Sequence, residues 1–442
     1  MALLAAILLL FTLTACDADT THQRPLPLVF LSVERETALQ QATLYLDNGV
    51  MNRTYAGTDT SFVPHDDDLA TVQRGLAELD LDRDCLPPEG GPDEVLVTYR
   101  RGTVTTTCAA KSLKEAFDPF LLIPERSMLW PFSPQDEPHP VGHTVNSFQD
   151  YSPLSGDEYF HPGVDILMPE NSVVYNILPG RVVKYGYYDL SGGDAQDRMY
   201  FEVVIETQNG LTLQYHHIDP DSVSDAVKEA KQSGEVLWAG YKIGYIVSWP
   251  VTETGYSNEP FHHLHLNTFT RDLLPLDGLQ LLLPHPDSIP PVIASVTLTD
   301  ASRSAALDPG ALSTDFRVVA EVYDMMDDNV WPLPPRRYGV TVTDAGGKTL
   351  VERPGYDYLA ALSPKKEDFA CDYYLCGDAG MASKGDYGPR TMFVEATAFD
   401  AAGSPAPAIR VSALGRGKKT LTVTACDEYD NCTDHDLAME IP

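Results

Sequence analysis

Between residues 173 and 244, proline and glycine recur so often that the chain has room only for short runs. Glycines at 180, 186, 210, 234, 240 and 244 punctuate the segments VVYNI (173–177), RVVKY (181–185), YFEVVI (200–205) and LTLQY (211–215). Both residues are costly inside helices and strands and are tolerated in turns. The runs are rich in β-branched and aromatic residues, which favour strands. Residues 126–285 therefore read as many short antiparallel strands, with one short helix over 221–232 ahead of Gly234.

The flanking segments differ. Residues 17–125 read as a small α+β domain: ATLYL (42–46) and EVLVTY (94–99) suit strands, while 68–81 and 111–122 carry apolar residues at helical spacing. Nothing in it reads as catalytic; a spacer or a binding module is expected. After the break LPHPDSIPP (283–291), residues 286–442 alternate. Phe316, Val318, Ala320 and Val322 share one face, and so do Leu421, Val423 and Ala425. This pattern is similar to immunoglobulin-like β-sandwich modules. ACDEYDN (425–431) is like their strand-end A-x-D-x-x-G-N, with Asp430 where Gly is usual. The fold class is thus mainly β: a central antiparallel domain over 126–285, between the α+β domain and a β-sandwich over 286–442. In the last domain, Asp324, Asp327, Asp328, Asp427 and Asp430 are either solvated or ligands to Ca²⁺.

The chain has 31 Lys plus Arg against 64 Asp plus Glu, a formal net charge of −33. A surface this acidic disfavours nucleic-acid backbones and broad adhesion to anionic lipid. Residues 2–13 (ALLAAILLLFTL) are too short for a comfortable membrane span and suit the core of an export signal. They end in LTAC (13–16), which resembles the lipobox of bacterial lipoproteins. That resemblance implies a signal peptide over 1–16, lipidation of Cys16 and anchoring in the bacterial envelope. No Lys or Arg precedes the run, a departure from the usual signal, and plain secretion is the alternative. Cys85 and Cys108, Cys371 and Cys376, and Cys426 and Cys432 form three local pairs. Local pairing is the simplest of the possible disulfide patterns, and it suits an oxidising, exported location.

Six of the 12 histidines lie between 161 and 265. In His161-Pro-Gly-Val-Asp165, Pro162 and Gly163 forbid a helix, so His161 and Asp165 converge through a turn. In His263-Leu264-His265, the strand period of two aims both imidazoles at one face. In 211–217, Leu211, Leu213, Tyr215 and His217 share a face, which turns His216 away; His262 is likewise read as pointing away. Each motif alone has a bland reading: a common turn, a surface histidine pair, a satisfied edge histidine. His139 and His143, in a proline-rich stretch, read as a solvated loop, the alternative being a loop that covers a metal in a latent form.

Taken jointly and in this order, H-x-G-x-D, Y-x-H and H-L-H resemble the LytM/lysostaphin-type zinc metallopeptidases, over about residues 155–269. VVYNILPGRVV (173–183) and GEVLWAGYKIG (234–244) are similar to that family's intervening motifs. The resemblance implies His161, Asp165 and His265 as ligands to Zn²⁺. It also implies His217 and His263 beside the attacking water, one as general base and either as a stabiliser or acid. Peptidoglycan peptides are the implied substrate. A non-catalytic cell-wall-binding regulator of other wall hydrolases is the alternative, and the terminal domains are candidate sites for envelope partners. The sequence departs from the family where H-L-H continues as Leu266-Asn267 rather than an aromatic and Glu. It also departs in 255–262 and in apparent insertions at 187–198 and 221–232.

Overall fold

The computed structural model describes residues 28–36, 40–46, 50–55, 58–62, 66–88, 95–101, 103–113, 127–145, 147–149, 159–188, 198–207, 210–248, 261–270, 275–327, 332–357, 370–375, 383, 391–399 and 405–442. The signal run, Cys16, Cys376 and Asp328 fall outside them. Two compact units result, Met1–Leu122 with Gln208–Gly210, and Ile123–Thr207 with Leu211–Pro442. The described residues are mostly strands in antiparallel sheets, as the punctuation predicts. Among them no helix is long and apolar enough to cross a membrane.

The first unit is a six-stranded antiparallel sheet in the order Thr58–Phe62, Val50–Tyr55, Gln40–Tyr45, Leu28–Glu36, Val95–Arg101, Val104–Ala109. The helix Asp66–Glu78 carries Leu69, Val72 and Leu76 at helical spacing. Val72 and Leu76 join Val33, Leu44, Met51, Val95 and Val97 in one core. Each such buried side chain contributes about 1.5–3 kcal/mol. Cys85 is bonded to Cys108, as local pairing predicts. Of the run 111–122, a 3₁₀ turn over Lys111–Leu113 is described.

The second unit contains a larger antiparallel sheet in the order Val236–Leu237, Gly180–Tyr187, Phe201–Thr207, Leu211–His216, His263–Thr270, Val164–Leu167, Val141–His143. Alternation gives this sheet two unlike faces. Val203, Tyr215, Leu266 and Val164 stand in register from strand to strand and are all buried. Tyr215 donates its hydroxyl hydrogen to Asn176 Oδ1 at 3.1 Å and accepts from Ile177 N. The expected helix forms over Asp225–Ser233, capped by Ser224 and ended by Gly234 in the left-handed region.

The same unit carries a three-stranded sheet (Val292–Asp300, Phe316–Tyr323, Phe393–Glu395) and a four-stranded one (Thr349–Asp357, Arg337–Asp344, Gly417–Cys426, Cys432–Ile441). They share one core, which includes all seven residues assigned to it by alternation: Phe316, Val318, Ala320, Val322, Leu421, Val423 and Ala425. Cys426 is bonded to Cys432, and Cys371 is also disulfide-bonded. Phe148 and Phe160, on a ribbon that leads into His161, pack in this same core against Tyr374 at ring distances of 5.5 and 5.7 Å. The histidine motif is therefore braced by the sandwich.

Candidate metal centre

Strand register assembles a polar row across five strands of the larger sheet. Glu202 pairs with His216, His216 with His265, His265 with Asp165, and Asp165 with His143. These residues sit one position from the buried Val203–Tyr215–Leu266–Val164 row, so they occupy the opposite face. His161 reaches the row through the turn that precedes Val164–Leu167. That turn lies hard against the neighbouring strand. A Cβ at Gly163 would stand 2.6 Å from the Leu266 carbonyl oxygen and 2.5 Å from Asn267 Oδ1, so glycine is required there.

Three donor atoms converge: His161 Nε2 lies 2.8 Å from His265 Nδ1 and 3.1 Å from Asp165 Oδ1, and the last two are 2.8 Å apart. Each ligand is held by its outer atom. His161 Nδ1 donates to the Thr144 carbonyl at 3.1 Å, His265 Nε2 donates to Asn267 Oδ1 at 2.8 Å, and Asp165 Oδ2 accepts from His143 Nδ1 at 2.9 Å. These outer bonds assign the tautomers and aim three lone pairs at one point. Such an arrangement repels itself unless a cation lies among the donors. The triangle is slightly tighter than the edge of about 3.3 Å expected for a tetrahedron with bonds of about 2.0 Å. Two imidazole nitrogens and one carboxylate oxygen are a donor set that suits zinc with one position left open.

Two further imidazoles flank the triangle. His263 donates from Nδ1 to its neighbour Phe261 O at 2.8 Å, and its Nε2 lies 3.8 Å from Asp165 Oδ1. His217 follows the last residue of its strand with φ of 62°, the left-handed region that non-glycine residues seldom adopt. This turn swings its ring to 4.7 Å from that of His263 and 6.0 Å from that of His265. Its Nδ1 donates to the Met199 carbonyl at 2.6 Å, which leaves the lone pair on Nε2.

Burial lowers the pKa of His161, His217, His216 and His263, and neighbouring imidazoles depress each of them further. Burial alone would raise Asp165, but His161 and His263 beside it and the hydrogen bond from His143 hold it well below the usual carboxylate range. These four histidines are thus neutral and the aspartate ionised, the protonation states that metal ligation requires. The side chain of His265 is 12% exposed against 3% for Asp165, so the cluster opens to solvent beside His265.

The five predicted site residues stand together. Three neighbouring expectations need correction. His216 does not turn away: the strand ends at His216 and the backbone reverses at His217, so both rings reach the site face. His216 Nε2 lies 3.3 Å from Glu202 Oε2 and 3.2 Å from Gln214 Oε1. His143 is not in a solvated loop but in the edge strand, 2% exposed and bonded to Asp165. His139 is also buried, its ring edge-on to Trp130 and Phe132. Asn267, noted only as a departure, orients His265; its i, i+2 spacing from that ligand on one strand face was the available signal. The carbonyl of His262 accepts from Met168 N.

No family model matches the chain, and no curated protein matches it. Among solved structures it is similar to the catalytic domain of the antimicrobial peptidase lysostaphin from Staphylococcus simulans. The two share 21% identity over 31% of this chain and 88% of that one, with a TM-score of 0.22. It is also similar to Csd3 from Helicobacter pylori, at 13% identity over 59% of this chain and 77% of that one, with a TM-score of 0.23. At these TM-scores neither likeness carries fold or function to this chain, and the candidate centre stands on its own geometry.

Proposed function

We propose that this chain is a zinc-dependent metalloendopeptidase that hydrolyses peptide bonds in the cross-links of bacterial peptidoglycan. One observation carries the reading: three donor atoms of His161, Asp165 and His265 meet within 3.1 Å, each fixed from behind, beside two more buried imidazoles. Zinc held there supplies the Lewis acidity that makes water nucleophilic near neutral pH. His217 and His263 manage the proton. One takes it from the attacking water at Nε2 and returns it to the leaving amine, while the other accepts a hydrogen bond from that water at Nε2 and orients it. The Met199 and Phe261 carbonyls keep both rings in the tautomer that leaves Nε2 basic.

The peptidoglycan substrate is supported by the motif resemblance and by the export signal read at 1–16. Lipid attachment at Cys16 would keep the enzyme beside the wall. The test measures metal content and cleavage of purified peptidoglycan for the exported chain, beside His265→Ala. About one zinc per chain, with cleavage lost in the variant, is expected. Absence of both would overturn the zinc reading and favour the wall-binding regulator, whereas zinc without cleavage would point to a latent enzyme or another substrate.

A further inference from the structure

The acidic residues of the C-terminal region sort differently from the set read in the sequence. Asp430 pairs with Arg337 at 3.1 Å, and Asp327 accepts from Ser288 N and Oγ. Asp324 and Asp427 instead meet Asp287, from the 283–291 connection, with one carboxylate oxygen of each within 4.8 Å of the others. Asp324 directly follows the strand Phe316–Tyr323, and Asp427 directly follows Gly417–Cys426.

We infer that Asp287, Asp324 and Asp427 form a calcium site that ties the 283–291 connection to two strand ends of the sandwich. Asp324 is 3% exposed, and its Oδ1 is buried with no hydrogen-bond partner; Oδ2 of Asp287 is likewise unpartnered. Among the described residues none of the three makes an ion pair, while Arg336 is engaged by Asp357 and Asp430. Burial, compounded by the other two carboxylates, pushes Asp324 up to about 8. Three carboxyl groups thus meet here without a counter-charge, and ionising all of them is costly unless a cation supplies one. The donors are all oxygen, as a hard cation prefers. Three carboxylates and no imidazole or thiolate converge here, a donor set that suits calcium better than zinc.

The surrounding turn is built to hold the site in place. Asp427 Oδ1 accepts from the backbone of Tyr429 and Asn431 at 2.7 and 2.9 Å, and Asn431 Nδ2 donates to the Asp287 carbonyl at 3.2 Å. The same turn meets the segment that leaves the histidine sheet: Gln280 Nε2 donates to Glu428 O and Oε2, and His285 N donates to the Tyr429 hydroxyl. Bound calcium would neutralise the remaining charge at this junction.

The test strips the full chain with chelator, removes the chelator, and follows the melting temperature and calorimetric binding on addition of CaCl₂. Wild type is expected to bind one Ca²⁺ and to gain about 5 °C or more at a hundredfold excess over Kd. Asp324→Asn should lose most of that gain, whereas His265→Ala should keep it, which separates this site from the zinc centre. Asp287→Asn, at a less buried position, repeats the test should Asp324→Asn fold poorly. No calcium binding by wild type would overturn the inference. So would an undiminished shift in the aspartate variants, or an equal shift with MgCl₂.

Discussion

The His161–Asp165–His265 cluster lies in the middle of a sheet, and the Asp287–Asp324–Asp427 cluster lies where strands end. In the first, pairing register sets Asp165 opposite His265, a turn brings in His161, and every outer atom is bonded. Its donors are mostly nitrogen and sit close together. In the second, three separate connections bring carboxylates together, and one oxygen each of Asp287 and Asp324 has no partner. The first arrangement is rigid and suits chemistry at a small metal with an open position. The second suits a large cation whose shell tolerates uneven spacing. On the proposals above, the contrast separates two uses of a metal, catalysis on a strand scaffold and neutralisation of a junction.

The sharpest way to break this contrast is to remove chemistry without removing metal. His217→Ala should lower kcat/KM by about 10²–10⁴ with zinc content unchanged. His263→Ala should act in the same direction. Steady-state assays on a peptidoglycan peptide, paired with elemental analysis, check both. Loss of zinc in His217→Ala would mean that this residue is a ligand and that the division between ligands and proton carriers is wrong.

The next effect belongs to the residues that brace the ligands. Asn267→Ala removes the acceptor for His265 Nε2, and His143→Ala removes the donor to Asp165 Oδ2. Each should weaken zinc affinity by about 10–100-fold, read by chelator competition, with a smaller loss of activity in excess zinc. Unchanged affinity in both would mean that the strand register alone holds the ligands.

The two clusters also differ in how far the sequence revealed them. His161, Asp165, His263 and His265 were legible because a turn and a strand period fix their mutual geometry locally. His217 was placed at the site for a partly mistaken reason. Alternation was continued one residue too far, and a left-handed backbone at a histidine has no sequence marker comparable to glycine. His216 was set aside because the apolar Tyr215 face was taken as the site face, whereas the candidate metal-binding row lies on the opposite face with His216. His143 was hidden because its edge strand is three residues long and follows prolines. Asp287 was hidden more deeply, since it meets Asp324 and Asp427 only through tertiary packing. The sandwich cores, by contrast, follow directly from alternation at Phe316–Val322 and Leu421–Ala425.

The clusters should pull stability in opposite directions as pH changes in metal-free protein. The buried histidines stay neutral in the fold but gain a proton near 6.5 when unfolded, so stability falls as pH drops below 6.5. Asp165 adds a contribution that is present above 3.8 and lost as pH falls through its depressed value. Asp324 has the reverse sign: its folded-state value is raised to about 8, so stability is lost as pH rises from 3.8 through 8. Between pH 6.5 and 8 the acidic cluster therefore acts without the histidines, in the same direction as Glu428, whose carboxyl burial also raises. Each proton of difference is worth about 1.4 kcal/mol per pH unit there. Urea midpoints in chelator should fall across that window for wild type and stay flatter for Asp324→Asn. Equal slopes would place the uncompensated charge elsewhere.

The smallest effect comes from a second asparagine, and it sharpens the comparison with Asn267. Asn431 Nδ2 donates to Asp427 Oδ2 at 2.7 Å, as Asn267 accepts from His265. Yet Asp427 Oδ1 keeps two backbone donors when the Asn431 side chain is removed, whereas His265 Nε2 loses the acceptor that sets its tautomer. Asn431→Ala should therefore cost only about 1 kcal/mol in stability and roughly fivefold in calcium affinity. The measurements are the urea midpoint without calcium and the calcium midpoint by calorimetry. A loss as large as that of Asp324→Asn would show that the turn is held by this side chain rather than by its backbone. The acidic cluster would then depend on one bracing residue in the way the histidine cluster depends on Asn267.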